Sequence, residues 1–582
     1  MRTPLVCFAL LAITVLADGD PPLLITDVTV IDAERVAEHQ TVLVQDGRIA
    51  YVGRNRSFPA LAGSRTLEGH QRFLIPGLID AHVHFFQSGG LFARPDVFDL
   101  RKLKPYEQEV ADTKAALGAN FRRYLRSGIT TVLDIGGPRW NFEVRRAAAA
   151  DPFAPRVFVA GPLVSTVERP QLDLGDPPII KAGSADEARA LVRAQTDEKP
   201  DYIKVWYVAQ TPEDVERNFP VVKAAAEEAH RLGFPVAVHA TELETSRKAV
   251  EAGADLLVHG VMDKPVDDAY LALLKAKGVI YCPTLSVREG YQEISNQRLH
   301  FTPAEWVWAD PRVLNTLTEL PRARELLTPA RQKLLDERPE LPSNAIALAN
   351  LKRVWDAGIP VAAGSDAGNP GTPHGPGLYR DFELMVQAGL TPRDVLKSAT
   401  LGGARVVHRK DLGLIKAGYA ADLVLLDADP RASVRNLGQI VAVVARGALR
   451  LPAEILPESA ADVVWRQALA YNVRDAAVFA ALHASDVVVY DGEQVVLRGR
   501  GALELQSEAR FAAQPLARVR IVDELVEGDT VVQHREESGD GGPQRRTIVT
   551  FQVVDGQIAR VWNAATGRPA PARAASPGSG GG

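Results

Sequence analysis

Cysteine is almost absent from this chain: Cys7 and Cys282 are the only two in 582 residues. Cys7 falls inside the apolar leader described below, so a chain trimmed there is expected to contain no internal disulfide. Charge of one sign is missing too. With 67 Lys and Arg against 72 Asp and Glu, the net charge of −5 gives no basic field to gather nucleic-acid phosphates or an anionic membrane surface. A small molecule is the expected partner. Long apolar runs are scarce as well. Residues 5–17 fall well short of the ~20 needed to cross a bilayer, and no other stretch is long and apolar enough. This run follows Arg2 and ends in Ala17 before Asp18, Gly19 and Asp20, the pattern of a secretory signal peptide over 1–17. The expected product is exported, periplasmic or secreted, with no membrane insertion once the leader is removed.

What remains is ordinary globular composition, 46% apolar and 24% charged, in a chain too long for one core, since single cores stop growing at about 250–300 residues. Residues 23–52 alternate apolar and polar, with Asp46-Gly47 as a hairpin signal. From 74 to 408 the texture changes to short apolar runs (74–79, 130–134, 156–160, 202–206, 236–239, 256–259, 279–282, 361–363) separated by helical stretches. Eight buried strands alternating with helices predict an α/β fold, a (β/α)8 TIM barrel. A Trp-, Leu-, Arg- and Pro-rich insertion near 299–350 is placed to lid its mouth. Strand texture returns over 409–451 and pairs with 18–73 as a small composite β-sandwich. After a linker at 452–461, helices followed by long alternating strands over 462–566 predict a separate α+β domain, and the Pro/Ala/Gly/Ser-rich tail 567–582 is expected to be disordered.

The sharpest chemical signal is Ile75-Pro-Gly-Leu-Ile-Asp-Ala-His82-Val-His84. Histidines at i and i+2 on a strand point to one face, and at the C-terminal end of a barrel strand that face looks into the mouth. Taken alone, the pair fits two core histidines as well as one metal. Three further runs, however, close on metal-capable residues: Ala237-Val-His239, Leu257-Val-His259 and Gly364-Ser-Asp366. Lys204, in Asp201-Tyr-Ile-Lys204-Val-Trp206, stands between apolar neighbours. A bare ammonium facing an apolar interior is costly, so this lysine must shift its pKa, find a carboxylate or be modified, for example as a carbamate formed with CO2.

Together with Ser398-Ala-Thr, Gly402-Gly-Ala, Leu412-Gly and Ala421-Asp-Leu-Val, these segments resemble the amidohydrolase superfamily over residues 23–450, nearest its imidazolonepropionase-like and Xaa-Pro dipeptidase-like members. One departure is Val258 before His259-Gly260, where related sequences often carry Glu. The resemblance implies an enzyme, a metal-dependent hydrolase of carbon–nitrogen bonds with two divalent ions, zinc by default. His82, His84 and Asp366 would hold the more buried ion and His239 and His259 the second, with an N6-carboxylated Lys204 bridging them. Asp366 would move the proton and His259 would assist at the oxyanion. Tyr207, His374 and Arg380 are candidate substrate contacts. Implied substrates are an N-acyl amino acid, a Xaa-Pro dipeptide or a cyclic amide. A mononuclear deaminase, with Lys204 left as an amine, and a metal-free non-catalytic barrel are the alternatives. The segment 462–566 resembles the SnoaL-like, nuclear transport factor 2-like cone, in which His483, Asp486, Tyr490 and His534 are candidate lining residues without an acid–base signature. That domain is expected to support homo-oligomers or to gather ligand.

Overall fold

The computed structural model describes residues 21–54, 63–330, 332–333, 344–538 and 545–565. The leader at 1–17 and the tail at 567–582 lie outside the described residues.

The first strands, Leu23–Ile31, Val36–Gln45 and Arg48–Arg54, form an antiparallel meander. Its second turn is closed by Asp46 and Gly47 at φ 51° and 71°, both left-handed, as a two-residue hairpin that follows the strands' twist requires. Phe73–Pro76 then lies parallel to Leu23–Ile31 and antiparallel to Leu423–Leu426, which continues into Ile440–Ala445 and Ala448–Arg450. Strands from both ends of the catalytic segment therefore join one sheet. The two segments expected to make a composite β-sandwich are joined in one eight-stranded hydrogen-bonded sheet and bury a shared core that includes Ile25, Val30, Leu74, Leu423 and Val444.

The apolar run at 74–79 is not one strand. It breaks at Gly77, where the chain leaves the composite sheet and begins Leu78–Val83. A Cβ at Gly77 would stand 2.1 Å from the Thr130 hydroxyl, so the crossing needs glycine. From here parallel strands alternate with helices. Leu78–Val83, Ile129–Asp134 and Arg156–Val159 form one three-stranded ladder. Ile203–Trp206, Val236–His239, Leu256–Val258 and Ile280–Cys282 belong to a second, six-stranded one, extended by the short strands Leu163–Ser165 and Ile179–Lys181. These are two ladders, not one continuous closed barrel. Single parallel bridges, Ala160 to Tyr202, Tyr281 to Val361 and Val83 to Ala367, link them and the segment 361–367. The helices carry their signals locally. Pro212–Arg231, for instance, starts at a Thr211–Asp214 capping box with proline in its first turn and buries Val215, Val222, Ala225 and Ala229.

The insertion is helical where described, with Pro303–Trp308, Pro311–Thr316 and Leu320–Ala323. Against it packs the C-terminal α+β unit: helices Ala460–Val473, Ala476–Ala481 and Arg500–Ala513 on a six-stranded sheet. The first two of these helices are separated where Arg474 turns left-handed at φ 67° and Asp475 caps the next. Leu469, fully buried, shares one apolar cluster with Leu314, Leu317, Phe98 and Leu91. Around that core Arg312 stands 2.7 Å from Asp462 and 3.6 Å from Glu524. Asn315 donates to the Trp465 carbonyl, and Asn472 donates to Asn315 Oδ1 and the Val519 carbonyl. Leu469→Ala is expected to destabilise the protein by about 2–5 kcal/mol, the usual cost of emptying a leucine-sized core site, in denaturant titrations. It should also speed limited proteolysis within 299–330; a loss confined to the C-terminal unit contradicts the shared core.

Candidate functional site

The parallel strands end on one side in a group of nitrogen and oxygen donors. His82 and His84 alternate along the first strand so that both rings face the interior. Their Nε2 atoms lie 3.2 Å apart, and each is 3.2 Å from Asp366 Oδ1. Four donors set tetrahedrally at 2.0–2.1 Å round a zinc-sized ion stand about 3.3 Å from one another, so this triangle matches one face of such a shell. His259 is the third member of a compact group with His82 and Asp366, whose donor atoms all lie within 4.8 Å. Its ring stands 4.4 Å from that of His239, centroid to centroid, and 5.0 Å from that of His82. Lys204, on the neighbouring strand and in register with Ala237, is fully buried, and its Nζ has no hydrogen-bond partner.

The backbone and the surrounding side chains hold these donors in place. His259 and Asp366 sit at φ 78° and 56°, in the left-handed region that non-glycine residues enter only when surroundings over-determine them. The His259 N–H is tied to the Cys282 carbonyl and the Asp366 N–H to the His82 carbonyl. The His84 Nδ1 faces the Gly136 carbonyl at 2.6 Å. As the donor in that bond it leaves the Nε2 lone pair turned inward. The His259 Nδ1 meets the Thr284 hydroxyl at 2.7 Å. Asp80, two residues before His82, accepts from the Ser365 hydroxyl at 2.5 Å, the Ser365 N–H at 2.9 Å and the His82 N–H at 3.3 Å, clamping the two ligand-bearing segments together.

Electrostatics prepares the same atoms. Burial pushes His82 down to about 3 and His239 and His259 well below the ordinary imidazole value, so their rings are neutral with lone pairs free. Burial raises Asp366, but the surrounding histidines outweigh it and hold the carboxyl well below the usual range. Burial brings Lys204 down to about 7, within reach of the free amine at neutral pH. Neutral imidazoles, an ionised carboxylate and a deprotonable amine are the donors a divalent cation takes. The orphaned Asp366 Oδ1 and Lys204 Nζ mark where it fits.

Above the cluster opens a cavity of about 740 Å³. His84, Lys204, His239, His259 and Asp366 line it, together with Phe98, Leu163, Trp206 and Met262 and with Arg94, Arg169 and Arg288. The three expected substrate contacts are a correction, for none reaches this wall. The Tyr207 hydroxyl donates to the Val215 carbonyl, and the buried His374 ring lies between the Tyr124 hydroxyl and the Gln87 carbonyl. Arg380 is buried between Glu293 at 3.0 Å and Glu305 at 3.1 Å. Each follows a barrel strand in sequence, but its polar atoms are turned to the scaffold. Sequence reasoning missed Asp80, although its spacing, two before His82 and four before His84, puts it on the same face. It also missed Thr284, Arg94 and Arg169, whose loops give no periodic signal. Of the four candidate residues in the C-terminal unit, His483 alone is buried, facing the Phe479 carbonyl. Asp486 and His534 are exposed, and Tyr490 stacks on Trp562, so these four line no common interior.

The amidohydrolase family model matches residues 73–450 and that of the SnoaL-like domain residues 465–561. An imidazolonepropionase of Nocardia farcinica is 27% identical over 410 residues, 66% of this chain and 85% of its own. A 5-methylthioadenosine/S-adenosylhomocysteine deaminase of Desulfovibrio desulfuricans is 26% identical over 411 residues, 68% of this chain and 80% of its own. The crystal structure of a Xaa-Pro dipeptidase with bound methionine in the active site superimposes with a TM-score of 0.56 at 21% identity, over 74% of this chain and all of that one, a likeness of fold.

Lys204→Met is expected to stabilise the metal-free protein. With its folded value near 7 against about 10.5 for an ordinary lysine, the folded state binds fewer protons than the unfolded one between these values. Its cost is full below pH 7, shrinks as pH rises and vanishes above about 10.5. Chemical denaturation of the two metal-free proteins should show an advantage of a few kcal/mol for the variant at pH 6–7, fading towards pH 10. A constant difference across that range contradicts the buried amine.

Proposed function

The chain belongs to the amidohydrolase family and is a hydrolase acting on carbon–nitrogen bonds, and from that premise we propose that it cleaves the amide-type bond of a small molecule at a centre of two divalent ions, zinc by default. The 3.2 Å triangle of His82, His84 and Asp366, continued by the partnerless Lys204 and the His239–His259 pair, carries this reading. In it, His82, His84 and Asp366 would hold one ion and His239 and His259 the other, with Lys204, carboxylated on Nζ, as a further ligand. A divalent ion held there would supply a hydroxide nucleophile at neutral pH and polarise the scissile carbonyl.

The chain's own groups do the rest. Asp366 accepts the proton of the attacking water and delivers it to the leaving nitrogen. The His259 ring, fixed by Thr284, stands where negative charge grows on the carbonyl oxygen. The Trp206, Leu163 and Phe98 wall excludes water from the bond being broken. We read the C-terminal unit as a cone whose exposed Leu505, Leu516 and Leu525 suit contact with a second copy. The leader makes the enzyme an exported one.

Candidate substrates are N-acyl amino acids, Xaa-Pro dipeptides and cyclic amides. Relatives named imidazolonepropionase and Xaa-Pro dipeptidase support this choice. A second reading, favoured by the deaminase relative and by the one three-residue donor group found among the described residues, His82, His259 and Asp366, is a one-ion deaminase in which Lys204 remains an amine. Screening these classes with zinc-supplied enzyme should give turnover that chelation removes and zinc restores. Asp366→Asn should lower kcat by roughly 10²–10⁴-fold. Ammonia released from amino-substituted rings, with no amide cleaved, would favour the second reading, and chelator-resistant turnover would contradict both.

A further inference from the structure

Five charged side chains besides the donor cluster line the cavity: Arg94, Asp96, Glu168, Arg169 and Arg288. Three of them are paired with one another. Arg94 grips Asp96 through two hydrogen bonds of 2.7 Å and reaches Asn369 Oδ1 at 3.2 Å. Arg169 stands 3.3 Å from the same Asp96 and lies over the Trp206 ring at 4.8 Å. Glu168 is exposed to solvent. Arg288 is different. Half-buried in the first turn of the helix Ser286–Asn296, it has no hydrogen bond, ion pair or ring contact among the described residues. The acids of its own helix are turned elsewhere, Glu289 to Asn344 at 3.1 Å and Glu293 to Arg380 at 3.0 Å.

A guanidinium keeps its charge at every pH at which the protein is folded, and partial burial without a partner weakens its hydration. A carboxylate received in its fork restores both hydrogen bonds and charge balance. The start of the helix that carries this cation is tied to the donor cluster. Thr284, four residues earlier, holds the His259 ring, while the Leu285 N–H donates to buried Asp381 at 2.6 Å and the Ser286 hydroxyl bonds the same carboxyl. The same cavity is also lined by apolar side chains, Leu163, Trp206, Met262 and Val287 among them.

We propose that Arg288 anchors a carboxylate of the substrate, so that the preferred substrates are acyl amino acids or dipeptides with a free carboxylate and an apolar body, not neutral amides. This rests on the hydrolase reading above and narrows it. The test uses full-length, zinc-supplied enzyme with N-acetyl-leucine and the dipeptide Leu-Pro, each as the free acid and as its carboxamide. The wild type should prefer the acid by roughly 10–100-fold in kcat/KM, the worth of a charge-assisted hydrogen-bonded pair, with most of the effect in KM. Arg288→Gln should bring that preference to within about threefold, and Arg288→Lys, which keeps a point charge but not the fork, should fall between. No preference in the wild type, or equal losses on acid and carboxamide in Arg288→Gln, overturns the proposal. If none of the four compounds is hydrolysed, the choice of substrate class for hydrolysis fails. Calorimetry with N-acetyl-leucine then decides the anchor separately. Binding that weakens roughly tenfold in Arg288→Gln and in the carboxamide sustains it; binding indifferent to either change, or no binding at all, overturns it.

Discussion

Burying donors that the protein leaves without partners is the constraint on which the rest of the structure depends. Lys204 Nζ and Asp366 Oδ1 are enclosed without hydrogen bonds, and three imidazoles crowd the same space within 5.0 Å of one another in consecutive pairs. In water such groups would be solvated; here desolvation pushes the lysine and the histidines towards their neutral forms. Each orphaned buried polar group costs about 1–3 kcal/mol. A set of them survives only because a large surrounding core leaves the backbone no cheaper arrangement. The same cost is what a bound cation removes, so the instability of the empty cluster and its affinity for metal have a single origin.

That surrounding core explains otherwise separate features. Gly77 lets the chain pass from the composite sheet to the strand that bears His82 and His84. Gly364, whose Cβ would meet Cys282 Sγ at 2.5 Å, lets the last parallel segment lie close enough for Asp366 to face them. Asp80 then locks the two through Ser365. Further out, the insertion and the C-terminal domain share the core built round Leu469 and Leu314, and Phe98 belongs to both that core and the cavity wall. The appended domain is thereby packed into the support of the cavity mouth.

Much of this was legible in the sequence, because period-two alternation and strand-end position are local signals. The spacing of His82 and His84 put both on one face, and His239, His259 and Asp366 each closed an apolar run, while Lys204 joined them only through the resemblance; the Asp46-Gly47 hairpin was equally local. Less legible was anything set by contacts distant in sequence. Tyr207, His374 and Arg380 follow barrel strands as substrate contacts would, yet Arg380 turns to Glu293 and Glu305, 87 and 75 positions away, and His374 to Gln87 and Tyr124. The break at Gly77 inside a continuous apolar run was hidden for the same reason: Leu423–Leu426, far along the chain, draws Phe73–Pro76 into another sheet. Arg288 carries no motif at all, and its lack of a partner appears only in the folded chain, where Glu289 and Glu293 of its own helix turn to Asn344 and Arg380.

The central claim is that the buried donors form a metal centre to which Lys204 contributes. Elemental analysis of the full chain purified in bicarbonate, beside Lys204→Ala, tests it most directly. About two divalent ions per chain, falling sharply in the variant, is the result expected of a carbamate-bridged pair. One ion per chain whose occupancy ignores Lys204, or none in either protein, would contradict it.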